Sequence, residues 1–147
     1  MTTGEPVAGY RLSDDPETFD LGAIHAFLTG SYWAKGISRD AVERAIRGSL
    51  VCVGAFDAEG GQVGFCRAVS DGATFAYVAD VYVLEAHRGR GLAMWMLDVL
   101  IAHPRLTGLR RMVLATRDAH ALYARLGFVA FRQPERWMER VEEMKNS

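Results

Sequence analysis

The segment of this sequence best suited to chemistry is Asp80-Val81-Tyr82-Val83-Leu84-Glu85-Ala86-His87-Arg88-Gly89-Arg90-Gly91-Leu92-Ala93. A strand-forming run enters a basic, glycine-rich turn and leaves it as an apolar helix. The first turn of any helix leaves backbone N–H groups without intrahelical partners, and the aligned peptide dipoles add partial positive charge there. Gly89 and Gly91 remove the Cβ atoms that would hold an anion at a distance, and Arg88 and Arg90 add charge. A few charge-assisted hydrogen bonds of about 1.5–3 kcal/mol each would anchor a pyrophosphate. In isolation, a tight strand-to-helix turn with two solvated arginines would read the same way, so the surrounding elements have to decide. The spacing is neither the G-x-G-x-x-G of a dinucleotide-binding unit nor the G-K-[ST] ending of a P-loop.

The elements that would position this loop are marked by period and punctuation. Leu21, Ile24, Phe27 and Leu28 fall near helical spacing within Asp20 to Trp33, and Ser38 caps a second short helix carrying Val42 and Ile46 up to Gly48. Leu50 to Phe56 and Val63 to Val69 read as strands joined by the turn Asp57-Ala58-Glu59-Gly60-Gly61, and Asp71-Gly72 leads into a third strand, Thr74 to Leu84. Gly91 to His103 is apolar on nearly every face, which predicts a buried helix stopped by Pro104. Arg111 to Thr116 returns to a strand, Ala119 to Leu126 is a short helix ended by Gly127, and Phe128 to Phe131 with Trp137 to Val141 read as the last strands. The strand–helix–strand unit around the loop makes its two strands parallel, with a right-handed crossover. The expected class is therefore α/β (α+β), a mostly antiparallel sheet with one parallel pair. Open sheets bind ligands at the carboxyl ends of such strands.

The chain has 147 residues, 50% of them hydrophobic, enough for one core and too few for two ordinary domains, so residues 1–147 read as a single domain. Only the first few residues and the tail from Glu142 to Ser147 read as frayed. A formal net charge of -1 provides no broad positive field for nucleic acid or anionic lipid, and neither is an expected partner. Met1 to Asp15 lacks the basic start and apolar stretch of a signal peptide, and no apolar run approaches the roughly 20 residues of a membrane span, so the expected location is cytoplasmic. Cys52 and Cys66 sit in strand-like runs without CxxC or His spacing, which predicts two reduced, buried thiols and no metal site.

Arg88-Gly89-Arg90-Gly91-Leu92-Ala93 resembles the [RQ]-x-x-G-x-[GA] phosphate loop of the GNAT family of acetyl-CoA-dependent N-acetyltransferases. The resemblance takes in the preceding Asp80-Val81-Tyr82-Val83 and a second motif, Ala121-Leu122-Tyr123-Ala124-Arg125-Leu126-Gly127-Phe128, which is similar to the family's late helix-to-strand signature. The order of elements fits from about Val7 to Val141. The resemblance implies a GNAT-like sheet whose parallel pair splays apart, with helices on both faces and acetyl-CoA as cosubstrate. It implies a coenzyme site made of Val81, Tyr82, Val83, Arg88, Gly89, Arg90, Gly91, Leu92, Ala93, Thr116 and Tyr123. Within that site the backbone groups of Val81 and Val83 meet the pantetheine arm, and the amides from Arg88 to Ala93 hold the pyrophosphate. Tyr123 matches the tyrosine that gives a proton to the coenzyme sulfur; packing the same ring into the core is the alternative.

Acetyl transfer needs an unprotonated amine, whereas a lysine-like ammonium, with a pKa of about 10.4, is almost wholly charged at neutral pH. A base is therefore expected, and Asp80 and Glu85 are the nearest carboxylates to the reacting end of the cleft. Asp80 is the favoured candidate; a structural pairing of Asp80 with Arg67 is the competing reading. Tyr32 and Trp33, between the first two helices, are the candidates for the acceptor side, with Arg67 and Trp137. Neither cysteine has a nucleophile's context, which favours direct attack on the thioester in a ternary complex. The leading expectation is an N-acetyltransferase acting on a primary amine of a small molecule or peptide, as a monomer or homodimer. A catalytically weak acyl-CoA sensor and a free-nucleotide binder are the alternatives.

Overall fold

The computed structural model describes residues 4–142, so most of the tail expected to fray lies outside the described residues. In chain order the elements are β1 (Arg11–Ser13), α1 (Leu21–Thr29), α2 (Arg39–Arg47), β2 (Val51–Phe56), β3 (Gln62–Ser70), β4 (Phe75–Val83), α3 (Leu92–Ile101), β5 (Arg111–Val113) and α4 (His120–Ala124). The cap expected at Ser38 is present, and Asp20 adds one for α1. The Asp20 side chain accepts from the Ala23 amide, and Ser38 accepts from the Ala41 amide. In the β2–β3 turn, Asp57 accepts from the amides of Glu59 and Gly61 while Gly60 takes a φ of 88°.

The five strands lie in the order β1-β2-β3-β4-β5, every neighbouring pair antiparallel except β4 with β5. Helix α3 covers one face, where Leu92, Met96, Leu97 and Leu100 bury against Val51, Val53, Cys66, Ala68 and Val78. Helices α1 and α2 cover the other, where Ile24, Leu28 and Val42 meet Cys52, Phe65 and Tyr82. Each such side chain contributes about 1.5–3 kcal/mol when fully buried. Helices on both faces explain why β2 is buried at every residue and reads as a continuous apolar run.

Two features of β4 position the site. Its parallel pairing with β5 is confined to Phe75–Arg111, Ala76–Met112 and Tyr77–Val113, and the strands diverge beyond it. Its antiparallel register with β3 slips: Tyr82 faces Phe65 and Ala79 faces Arg67, so Asp80 and Val81 together stand opposite Cys66. This is a β-bulge, and Asp80 takes a φ of 56°, a left-handed conformation that Asp tolerates better than most side chains.

Three sequence expectations are corrected. Phe128–Phe131 and Trp137–Val141 form no strand among the described residues; a short 3-10 turn at Pro134–Arg136 interrupts irregular chain. Strand-forming residues need a partner edge and a covered face, and here Val129 and Met138 are 70% and 96% exposed. The strand expected over Arg111–Thr116 stops at Val113, where the divergence from β4 begins. Strand β1, three residues long, shows no readable period and was not anticipated.

Candidate active site

Strand alternation decides which backbone groups of β4 are free. The Leu84 amide donates to the Val63 carbonyl, so the groups of Tyr82 and Leu84 turn toward β3 and those of Val81 and Val83 turn toward the edge that β5 has left. The Val83 carbonyl accepts from Arg88 Nε at 2.8 Å, folding the loop back onto the strand. The Tyr82 ring is buried and stacked on Phe27, with centroids 4.0 Å apart, and its backbone faces β3, within the core beneath α1.

After β4 the chain makes a 3-10 turn at Glu85–His87 and passes through Gly89 (φ 78°) to Gly91 (φ 91°), the N-cap of α3. No side chain caps this helix, so its first-turn amides face outward. A Cβ added at Gly89 would meet no atom within 4 Å, and one at Gly91 would meet only Val7 Cγ2, at 3.9 Å. The space over the loop therefore fits an anion resting on backbone amides. A cleft of about 290 Å³ opens here, bounded by Val83, Arg88, Gly89, Gly91, Leu92 and Ala93 from the expected set. His87, Met94, Leu122 and Arg125 also line it, and sequence reasoning did not include them. Arg125 and Leu122 were within reach, since both lie in the second motif beside Tyr123. Arg90 is exposed outside this cleft.

Tyr123, on α4, is 8% exposed and packs edge-on against Phe128, 5.9 Å away. Among the described residues no hydrogen bond involves the Tyr123 hydroxyl, and no fully buried side-chain polar atom lacks a partner. Burial, with lesser contributions from Cys66 and Tyr32, pushes its phenol up to about 12, which keeps the proton on through neutral and mildly alkaline pH. Thr116 Oγ1 accepts from the Ala119 amide at 3.0 Å and so shapes the turn into α4.

On the other side of β4, four of the expected residues converge. Arg67 Nε donates to Asp80 Oδ2 at 2.7 Å and the Trp33 indole donates to Oδ1 at 2.8 Å, while a further Arg67 nitrogen donates to Ser49 Oγ. The Arg67 and Asp80 side chains are only 16% and 10% exposed, a partly desolvated pair. Tyr32 and Trp33 are 51% and 41% exposed and meet edge-on. Arg117 lies 3.8 Å over the Tyr32 ring, and its amide donates to the Tyr32 hydroxyl, so that ring face is already taken by a cation. Trp137 does not join this group. It stacks on Phe131 and under Arg111 at the start of β5, because the segment carrying it forms no strand alongside the sheet. Burial raises the Cys52 thiol to about 11 and pushes Cys66 higher still, which keeps both protonated at neutral pH.

Comparison with known proteins agrees with this geometry. The family model of the acetyltransferase (GNAT) domain matches residues 47–130, more than half of the chain. A solved GNAT-family protein from Xanthomonas campestris pv. campestris, described as a candidate acetyltransferase, is 48% identical to this chain with a TM-score of 0.88, over 93% of this chain and 96% of that one. A curated relative from Gibberella zeae, also named as a candidate acetyltransferase, is 34% identical over 84% of this chain and 81% of its own. A Clostridium acetobutylicum protein solved with acetyl-CoA shares the fold at 18% identity, with a TM-score of 0.66 over 90% of this chain and 94% of that one.

Proposed function

The chain belongs to the GNAT acetyltransferase family, and from that premise we propose that it is an acetyl-CoA-dependent N-acetyltransferase acting on a primary amine by direct attack in a ternary complex. One observation carries the reading. The open edge of β4, with the groups of Val81 and Val83 turned into it, runs directly into a loop whose amides and glycines leave room for an anion. A ligand with an amide-bearing arm joined to a pyrophosphate fits that sequence of groups, whereas a free nucleotide would leave the strand edge unused.

Acetyl-CoA would supply the activated acetyl group. The first-turn amides of α3 and the Gly89–Gly91 backbone hold the anionic end, and the Val81 and Val83 backbone orients the arm. Tyr123, protonated at neutral pH, gives its proton to the departing sulfur. Asp80 takes the amine proton, directly or through a water. Each of its oxygens receives one hydrogen bond, from Trp33 or Arg67, and keeps a second lone pair for this purpose. Buried cysteines with raised thiol pKa values support direct attack over a covalent acetyl-enzyme. Tyr32 and Trp33, beside Asp80, form the acceptor side with Arg67.

The test is binding followed by turnover. At 100 times its Kd, acetyl-CoA adds about 2.7 kcal/mol and raises the melting temperature by roughly 5–10 °C. Mass spectrometry of an amine library incubated with enzyme and acetyl-CoA then shows a product heavier by one acetyl group. An unchanged melting temperature at millimolar coenzyme overturns the proposal, and binding without any turnover reduces the protein to a coenzyme sensor.

A further inference from the structure

The cleft beside the glycine loop has a polar wall that the family loop motif does not include. His87, the last residue of the turn before Arg88, lines it together with Gly89, Gly91 and Arg125. Its Nδ1 lies 2.7 Å from the hydroxyl of Tyr10, a residue 77 positions earlier, and the two rings meet edge-on at 89°. The N-terminal segment reaches the loop at a second point, since Val7 stands 3.9 Å from where a Gly91 Cβ would be. The turn linking these contacts is closed by a Tyr10 amide to Val7 carbonyl bond, with Gly9 at φ 86°.

A phenol has one proton. Among the described residues the Tyr10 hydroxyl bonds only to His87. In the tautomer in which the phenol donates to Nδ1, the imidazole's own proton lies on Nε2 and is a donor on a residue lining the anion cleft. We propose that His87 is a further ligand of the coenzyme's diphosphate through Nε2–H, and that Tyr10 is the positioning residue that sets its tautomer and orientation. The N-terminal segment is thereby part of the coenzyme site. This inference rests on the coenzyme reading of the cleft.

Isothermal titration with coenzyme A, on wild type, His87→Ala, His87→Gln and Tyr10→Phe, reads the effect without turnover. A ligand-observed NMR titration with millimolar S-acetylpantetheine, which keeps the arm but lacks the diphosphate, is the control. Loss of a hydrogen bond to a charged group weakens coenzyme A binding by roughly 10-fold or more in His87→Ala, with S-acetylpantetheine binding unchanged. His87→Gln, whose amide N–H reaches the Nε2 position, recovers most of the affinity, and Tyr10→Phe gives an intermediate loss. Wild-type affinity in His87→Ala, or equal losses for both ligands, overturns the assignment while leaving the coenzyme site intact. Failure of the wild type itself to bind coenzyme A overturns the underlying reading instead.

Discussion

At the scale of the residue, Tyr123 and Asp80 are the side chains on which the proposed chemistry turns, and the structure puts them in different circumstances. Tyr123 is packed by its ring, so Tyr123→Phe keeps the packing and removes only the hydroxyl. The expected result is a fall in kcat of roughly 10- to 10,000-fold with little change in coenzyme affinity. Wild-type turnover under chemistry-limited conditions would make the ring a packing residue. Asp80 is tied to Arg67 and Trp33 and sits at a φ of 56°. Asp80→Asn suits that backbone and keeps an acceptor, so it is expected to fold well and to lose turnover more at neutral than at alkaline pH, where more of the amine is already deprotonated. Asp80→Ala also strands the Arg67 guanidinium and is expected to be the less stable variant in urea by about 3 kcal/mol, the lower end for a broken buried pair, since the site is not wholly dry. An equal activity loss at every pH would assign Asp80 to positioning alone.

At the scale of the element, the loop before α3 depends on two glycines. Gly89 and Gly91 both have positive φ, which penalises a β-branched side chain, yet the protein itself leaves room for one. Gly91→Val is therefore expected to cost a modest amount of stability through the backbone and to abolish coenzyme A binding, because its side chain takes the anion's place. Calorimetric titration beside a thermal melt separates the two effects, and retained binding in both Gly89→Val and Gly91→Val would move the anion site elsewhere. The same scale shows where sequence signals suffice. Asp20, Ser38 and Asp57 act on amides within a few residues, so the starts of α1 and α2 and the first hairpin are readable along the chain.

At the scale of the whole molecule, burial of titratable groups ties stability to pH. The Cys52 thiol is raised to about 11 and the Tyr123 phenol to about 12 in the folded protein. On raising the pH, the unfolded chain loses these protons first, from an ordinary thiol value of about 8.5, so it comes to bind fewer protons than the folded state and stability falls. This contribution is fully present below about pH 8.5 and lost as the pH passes through about 11 for Cys52. Urea denaturation at several alkaline pH values is expected to show that decline, and Cys52→Ala to show a shallower one. Parallel declines would mean that Cys52 does not contribute. Among the described residues no helix is long and apolar enough to cross a membrane.

Local period, turn residues and the crossover rule were enough to anticipate the mixed sheet and the loop that opens α3, because helix and turn signals act between near neighbours in sequence, while the splayed parallel pair followed from the resemblance that the two motifs carry. Long-range pairing decided the rest. Whether Val129, Met138 and their neighbours become strands depends on an edge that can receive them, which residue type does not encode. The bulge at Asp80 exists only through the register of β4 on β3, and that register turns the carboxylate toward Arg67 and Trp33. Tyr82 lies between two residues of the open edge and still belongs to the core, since alternation turns its ring under α1 and its backbone toward β3. The contact of His87 with Tyr10 came from the fold alone, for a hydrogen bond between residues 77 apart leaves no periodic trace in either segment.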